Sequence, residues 1–344
     1  MSRFLRNSTA LAIVAGALSA TPAAAEKSVT IGLFGGNWGD AFTACIIEPF
    51  TAATGITVVP EIGTSTVNLS KVQQQAGAQV IDAFWMDGGV SEVGMAAGVL
   101  DHLDPAAIPN IANLVPQALY SHEGENLAVS TGYYAFGIAY NSDEVKTPPT
   151  SWADLWSADF ANAVTFPAPA NALGIPTVFF LSQVMNGGDF DATFKQLGEL
   201  KAALFYDSSG AAANAFQTGE AVIGAFNSAP AWGLNDQGLP LQFVVPKEGA
   251  WGGDVRLHLV KGAPNKEAAE QFIDFALTPE ASACLAAKLY LGPSVKGAEV
   301  PAEVAAKLPW AEGGSVDDLT MLDWWEINKQ RADLVDRWNR EVGN

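Results

Sequence analysis

The chain is poor in histidine, cysteine and positive charge, and each shortage narrows what it can do. Its 344 residues include three histidines, His102, His122 and His258, and two cysteines, Cys45 and Cys284. The histidine spacings match no metal motif and no G-x-S-x-G occurs, so neither a metal centre nor an esterase-type triad is expected. Lys and Arg number 18 against 37 Asp and Glu, a net charge of −19. So acidic a surface repels phosphate backbones, which argues against nucleic acid as a partner. The apolar run Leu11–Leu18 falls short of the roughly 20 residues a membrane-spanning helix needs. With Arg3 and Arg6 before it and Ala23–Ala25 after it, this run reads as part of a secretory signal, residues 1–25, cleaved before Glu26. The remainder is long enough for two lobes of about 150 residues each.

Against these shortages stands a well-patterned opening, Val29–Val59. It reads as a strand, the glycine-rich loop Gly35–Gly39, a helix and a second strand. Asp40 occupies an N-cap position, and Phe42, Cys45, Ile46, Pro49, Phe50 and Ala53 recur at the spacing of one buried helix face. Gly55 is placed to end the helix in a left-handed conformation. A glycine loop ahead of a helix can cradle phosphate, but GGNWGD is neither a P-loop nor a dinucleotide fingerprint. Both cysteines fall on apolar faces of expected helices, and export would put them in an oxidising compartment. A disulfide between them across a long loop is expected, with two buried thiols as the alternative.

Strand and helix alternate onward. A polar helix is expected over Asn68–Ala78, and Val80–Met86 reads as a strand covered on both faces. Leu127–Tyr140 is a long extended stretch suited to cross between lobes, and Gly252–Val260 a return crossing. On that return, Val255, Leu257 and Leu259 share one face and Asp254, Arg256 and His258 the other. The rhythm predicts an open α/β sheet, in which ligands gather beyond the carboxyl ends of strands.

Several longer motifs then occur in a recognisable order. They are Gly35–Asp40, Glu48–Ile56, Ile138–Asn141, Pro148–Trp156, Val244–Gly249, Val260–Lys266 and Leu277–Glu280. With these the chain resembles the extracellular solute-binding proteins of ABC importers, specifically the spermidine/putrescine-binding group and its relatives. The resemblance implies an α/β, two-lobe periplasmic-binding-protein fold of type II, with a ligand cleft between lobes joined by crossing strands. It also implies a monomeric periplasmic protein without cofactor, which takes a small-molecule solute and docks on permease subunits of the inner membrane. The expected divisions are residues 26–135 and 251–300 in lobe 1, 136–250 in lobe 2, and 301–344 as C-terminal helices packing on both.

Ligand contacts are expected from turns at strand ends. Asn37, Trp38 and Asp87 belong to the first lobe, and Asn171, Ser208, Asn227 and Trp232 to the second. Of the neighbours Tyr133 and Tyr134, one should face the cleft and the other the core; Tyr133 is the candidate. In polyamine-binding relatives an Asp at the return crossing takes the ligand's ammonium group, and Asp254 is the nearest match. Arg256 departs from that pattern. A guanidinium suits bidentate carboxylate recognition, so the Asp254 and Arg256 pair fits a zwitterion such as γ-aminobutyrate, an amino acid or an opine. The pair could instead form an internal salt bridge. For the whole protein, the competing readings are a ferric-ion-binding relative that uses the Tyr133–Tyr134 pair, and an exported enzyme.

Overall fold

The computed structural model describes residues 27–310 and 313–343; the expected signal segment lies outside them. Ser28–Leu33 (β1), Thr57–Ile62 (β2) and Ala83–Asp87 (β3) run parallel, with β1 in the middle. After the short strand Leu119–His122 (β4) comes the 17-residue strand Glu125–Asn141 (β5). The second lobe follows with Val164–Pro167 (β6), Ala202–Tyr206 (β7), Ile223–Asn227 (β8) and Leu241–Val244 (β9). Trp251–Leu259 (β10) returns to lie antiparallel between β3 and β5. The main sheet order is β2-β1-β3-β10-β5-β8-β6-β7. The first part of β5 pairs with β4 and β10, and its last part with β8 and β9. One strand therefore belongs to both lobes, as the two-lobe expectation required.

The opening differs in detail from its sequence pattern. The helix starts at Gly36, capped by Gly35, so Asp40 lies inside the helix rather than at its N-cap. Gly39 is why the chain can turn so early: a Cβ there would stand 2.4 Å from the Phe34 carbonyl oxygen. The helix then widens into a π turn, Thr43–Ile47, before continuing as Glu48–Thr54. The wide turn falls just ahead of Pro49, whose ring nitrogen has no hydrogen to donate and whose ring would crowd the carbonyl four residues back. Phe42, Cys45, Ile46 and Phe50 are buried as expected, whereas Ala53 is exposed. Gly55 ends the helix at φ 71°, its N–H donating to Thr51 O. Cys45 is joined to Cys284 of the helix Pro279–Leu289, with Cα atoms 5.5 Å apart. The expected polar helix is Ser65–Gln74, and the third strand begins only at Ala83. The cause of the late start is Asp82, whose carboxylate accepts hydrogen bonds from Thr30 N at 2.8 Å and Asn265 N at 2.7 Å.

The two crossing strands have no solvent face. All nine residues of β10 are buried, and so are Ala128–Tyr140 of β5. The polar residues of β10 are therefore satisfied internally. Arg256 donates from Nε to both Asp254 oxygens at 3.0 Å and from Nη1 to Glu92 Oε1 at 2.5 Å. Its guanidinium lies 3.5 Å from the centre of the Tyr120 ring. Glu92 Oε2 accepts the Gly89 N–H at 2.6 Å, tying the start of the helix Val90–Ala96 to this group. His258 lies beyond it, with Nδ1 3.3 Å from the Phe84 carbonyl and Nε2 2.9 Å from Ser91 Oγ. Burial drives its pKa down to about 3, so it stays neutral.

The last helix, Trp324–Glu341, is capped by Asp323 and touches both lobes. Trp338 stacks on Phe166 of lobe 2, and Trp324 packs against Trp251 and covers Gly88. A Cβ on Gly88 would meet the Trp324 indole nitrogen at 2.5 Å, so this contact requires glycine.

Two of these features can be tested by substitution. Oxidised, denatured protein should contain no titratable thiol, and Cys45→Ser with Cys284→Ser should lower stability by about 2–5 kcal/mol in denaturant titrations. Arg256→Ala leaves Asp254 and Glu92 buried without a cation. It should cost about 3–5 kcal/mol, read as a lower urea midpoint; an unchanged midpoint would contradict a structural role for Arg256.

Candidate functional site

A cavity of about 820 Å³ opens between the lobes, at the carboxyl ends of β1, β3, β6 and β7. Its apolar wall is aromatic. Trp38 stands edge-on to Phe34 and Tyr134, with ring centres 6.2 Å and 6.5 Å apart. The helical start at Gly36 aims Trp38 here, and Tyr134 projects from β5 opposite Gly253, where a side chain would collide with its ring. Burial keeps the Tyr134 phenol protonated, its pKa well above the ordinary value.

Asp87, the last residue of β3, supplies the charge on this wall. Its Oδ2 accepts from Ser65 Oγ at 2.8 Å, and Ser65 Oγ accepts the Asp87 N–H at 3.0 Å. Oδ1 has no hydrogen-bond partner among the described residues. Burial raises the Asp87 pKa to about 6, with the Ser65 hydrogen bond opposing the shift and the charge of Asp254 adding to it. The carboxylate is thus ionised at neutral pH but poorly solvated.

Lobe 2 contributes turn residues. Asn171 is largely spent on its own turn, accepting from Leu173 N at 2.9 Å and donating to Asp207 O at 3.3 Å. Ser208 and Asn227 cap the helices Ser209–Thr218 and Ser228–Asp236 through their side-chain oxygens. The Ser208 hydroxyl hydrogen and the Asn227 amide N–H groups remain for the cavity. The last helix adds two lining residues that sequence reasoning missed, Asn328 and Arg331.

Of the ten expected contacts, Trp38, Asp87, Asn171, Ser208 and Asn227 line this cavity, and Asn37, Tyr133, Trp232, Asp254 and Arg256 do not. Asn37 is exposed, with its amide nitrogen 3.9 Å from where a side chain on Gly233 of the helix Ser228–Asp236 would begin. Trp232 packs outside, against Tyr290 and Lys307. Tyr133 and Tyr134 point to opposite faces, as neighbours on a strand must, and it is Tyr134 that faces the cavity. The two phenols therefore do not converge on one ion. Among the described residues no group of three or more His, Cys, Asp or Glu is placed to hold a metal. Asp254 and Arg256 lie on the face of β10 covered by the helix Val90–Ala96, whereas Asp87 pairs with Val255 and so belongs to the opposite face. The structure contains the internal salt bridge, and the pair does not reach the cavity.

Signals for the missed residues were present. Arg331 lies seven residues after Trp324 and four after Ile327, on the inward stripe of an amphipathic helix. What separates Tyr134 from Tyr133 is its register with Gly253, which only the folded sheet shows.

Residues 46–313 match the model of the family described as bacterial extracellular solute-binding protein. The spermidine/putrescine-binding periplasmic protein of Salmonella typhimurium is 27% identical over 279 residues, covering 78% of this chain and 79% of that protein. The gamma-aminobutyric acid-binding protein of Pseudomonas aeruginosa is 26% identical over 332 residues, 92% of each chain. Among solved structures, an ABC transporter protein from Clostridium perfringens superposes with a TM-score of 0.73 at 25% identity, covering 91% of this chain and 99% of that one. An extracellular solute-binding protein from Bordetella parapertussis gives 0.76 at 21% identity, covering 93% and 100%, a likeness of fold. With a cavity between two lobes and a family match over most of its length, this chain belongs to the bacterial extracellular solute-binding proteins.

Proposed function

We propose that this protein is the periplasmic solute-binding component of an ABC importer and captures a small amine-containing solute. It is exported with loss of its signal segment, works as a non-catalytic monomer, and hands the solute to permease subunits in the inner membrane. The observation that carries the choice of an amine is Asp87. It is an ionised carboxylate with one oxygen unpaired among the described residues, set in an aromatic-walled cavity. An ammonium group placed there gains a charge-assisted hydrogen bond from a poorly solvated partner, and its alkyl chain can lie against Trp38 and Tyr134. Relatives named for binding spermidine, putrescine and γ-aminobutyrate, each of which carries a primary ammonium group, support the same class. Closure of the lobes about β5 and β10 would complete the enclosure that a solute carrier needs.

Thermal-shift and calorimetric titration with putrescine, spermidine and γ-aminobutyrate tests the proposal, because a ligand that binds only the folded state raises its midpoint. Amine binding requires ionised Asp87. Affinity should therefore hold above about pH 6 and fall by up to about tenfold per pH unit below it. Asp87→Asn should abolish both the binding and this pH dependence. In the empty protein the sign reverses. The folded pKa of about 6 lies above the ordinary 3.8, so the folded state holds the proton more tightly. The contribution of this group to stability consequently declines as pH rises from about 4 to about 6, and ligand-free Asp87→Asn should melt higher than wild type at pH 8. A panel in which no amine shifts the midpoint would overturn the proposal.

A further inference from the structure

Among the described residues, Arg331 is the one basic residue lining the cavity. It is half-buried, and burial lowers its pKa with no described carboxylate placed to offset the effect. Its Nε donates to Asn328 Oδ1 at 3.2 Å, and Asn328 Nδ2 in turn donates to Gly89 O at 2.8 Å. These two bonds fix the plane of the guanidinium beside the turn that follows Asp87. Nη2 lies 3.4 Å from where a Gly89 side chain would begin. Neither Nη1 nor Nη2 has a hydrogen-bond partner among the described residues. The contrast with Arg256 is direct: that guanidinium is satisfied by two carboxylates, whereas none of the described carboxylates pairs with Arg331. A half-desolvated guanidinium held by its Nε edge, with its two outer nitrogens open to a cavity, is arranged to take an oxyanion bidentately.

We infer that the solute is a short-chain zwitterion whose acidic group is held by Arg331 while Asp87 takes its ammonium group. This deepens the amine-binding proposal and rests on it. The spacing of the two anchors favours a short chain, since Gly89, beside Nη2, is only two residues from Asp87 and consecutive Cα atoms are about 3.8 Å apart. A linear diamine has a weaker case. Its second ammonium has Asp207, the other carboxylate among the described residues of the cavity wall, but Asp207 is exposed to water, where a single ion pair contributes little. That ammonium would also share the cavity with an uncompensated Arg331. Both a carboxylate and a phosphonate satisfy the guanidinium, so the shared chemistry is a terminal oxyanion.

Calorimetry with γ-aminobutyrate, 3-aminopropylphosphonate, putrescine and γ-aminobutyramide separates these possibilities. Wild type should bind one of the two zwitterions at least about tenfold more tightly than putrescine, and the uncharged amide should lose about ten- to a hundredfold relative to γ-aminobutyrate if the carboxylate is the group held. A preference for the phosphonate would identify that oxyanion instead. Arg331→Gln should lose about as much affinity for the preferred zwitterion as removal of a charged hydrogen-bond partner costs, while leaving putrescine binding unchanged or stronger. Arg331→Lys should recover only part of the loss. Putrescine outcompeting both zwitterions in an Asp87-dependent way would overturn the role of Arg331 and leave the amine proposal standing. Absence of binding by all four would overturn both. The comparison of γ-aminobutyrate with its amide needs no variant, so it holds even if Arg331→Gln folds poorly.

Discussion

The architecture depends on a charged cluster kept wholly out of water. β5 and β10 must be covered on both faces, because one joins the lobes and the other returns between them, yet β10 carries Asp254, Arg256 and His258. Burying such groups is tolerable only when each finds a partner. Arg256 meets that requirement by drawing Asp254, Glu92 and the Tyr120 ring around itself, and Glu92 reaches on to the Gly89 N–H. The cluster thereby fixes the turn Asp87–Gly89 from below. The position of the cavity-facing carboxylate is set by charges that do not line the cavity.

On the cavity side of the same turn the requirement is the reverse. Ser65 holds one oxygen of Asp87, and Trp324 covers Gly88 so closely that no side chain fits there. Asn328 holds the Gly89 carbonyl and orients Arg331. The turn is thus gripped from two sides by elements distant in sequence. What remains ungripped is the oxygen and the guanidinium nitrogens that face the cavity.

Much of the scaffold was legible in the sequence. Period-2 and period-3.6 patterns located the crossing strands and most helices, and the apolar helix faces that carry the two cysteines are joined by the bond they form. Strand alternation also placed Asp254 and Arg256 correctly on one face. It failed at the next step, because a polar stripe on a strand is taken to face solvent or ligand, and here a helix covers it. Parity alone cannot say which of two faces a neighbouring element will bury. The same limit exchanged Tyr133 for Tyr134. Asp40 was misplaced for a different reason: the tight approach of Gly39 to Phe34 starts the helix five residues earlier than a side-chain cap would suggest.

The cavity wall runs from Phe34 to Arg331, and its anchors come from the first lobe, the crossing strand, the second lobe and the last helix. Neither lobe alone contains the whole cavity wall. One continuous core joins Ile31 of the first lobe, Phe166 of the second and Trp338 of the final helix, so the cavity wall is complete only once that helix has docked its Trp324 end on one lobe and its Trp338 end on the other. For this protein, binding a solute is a test of complete assembly.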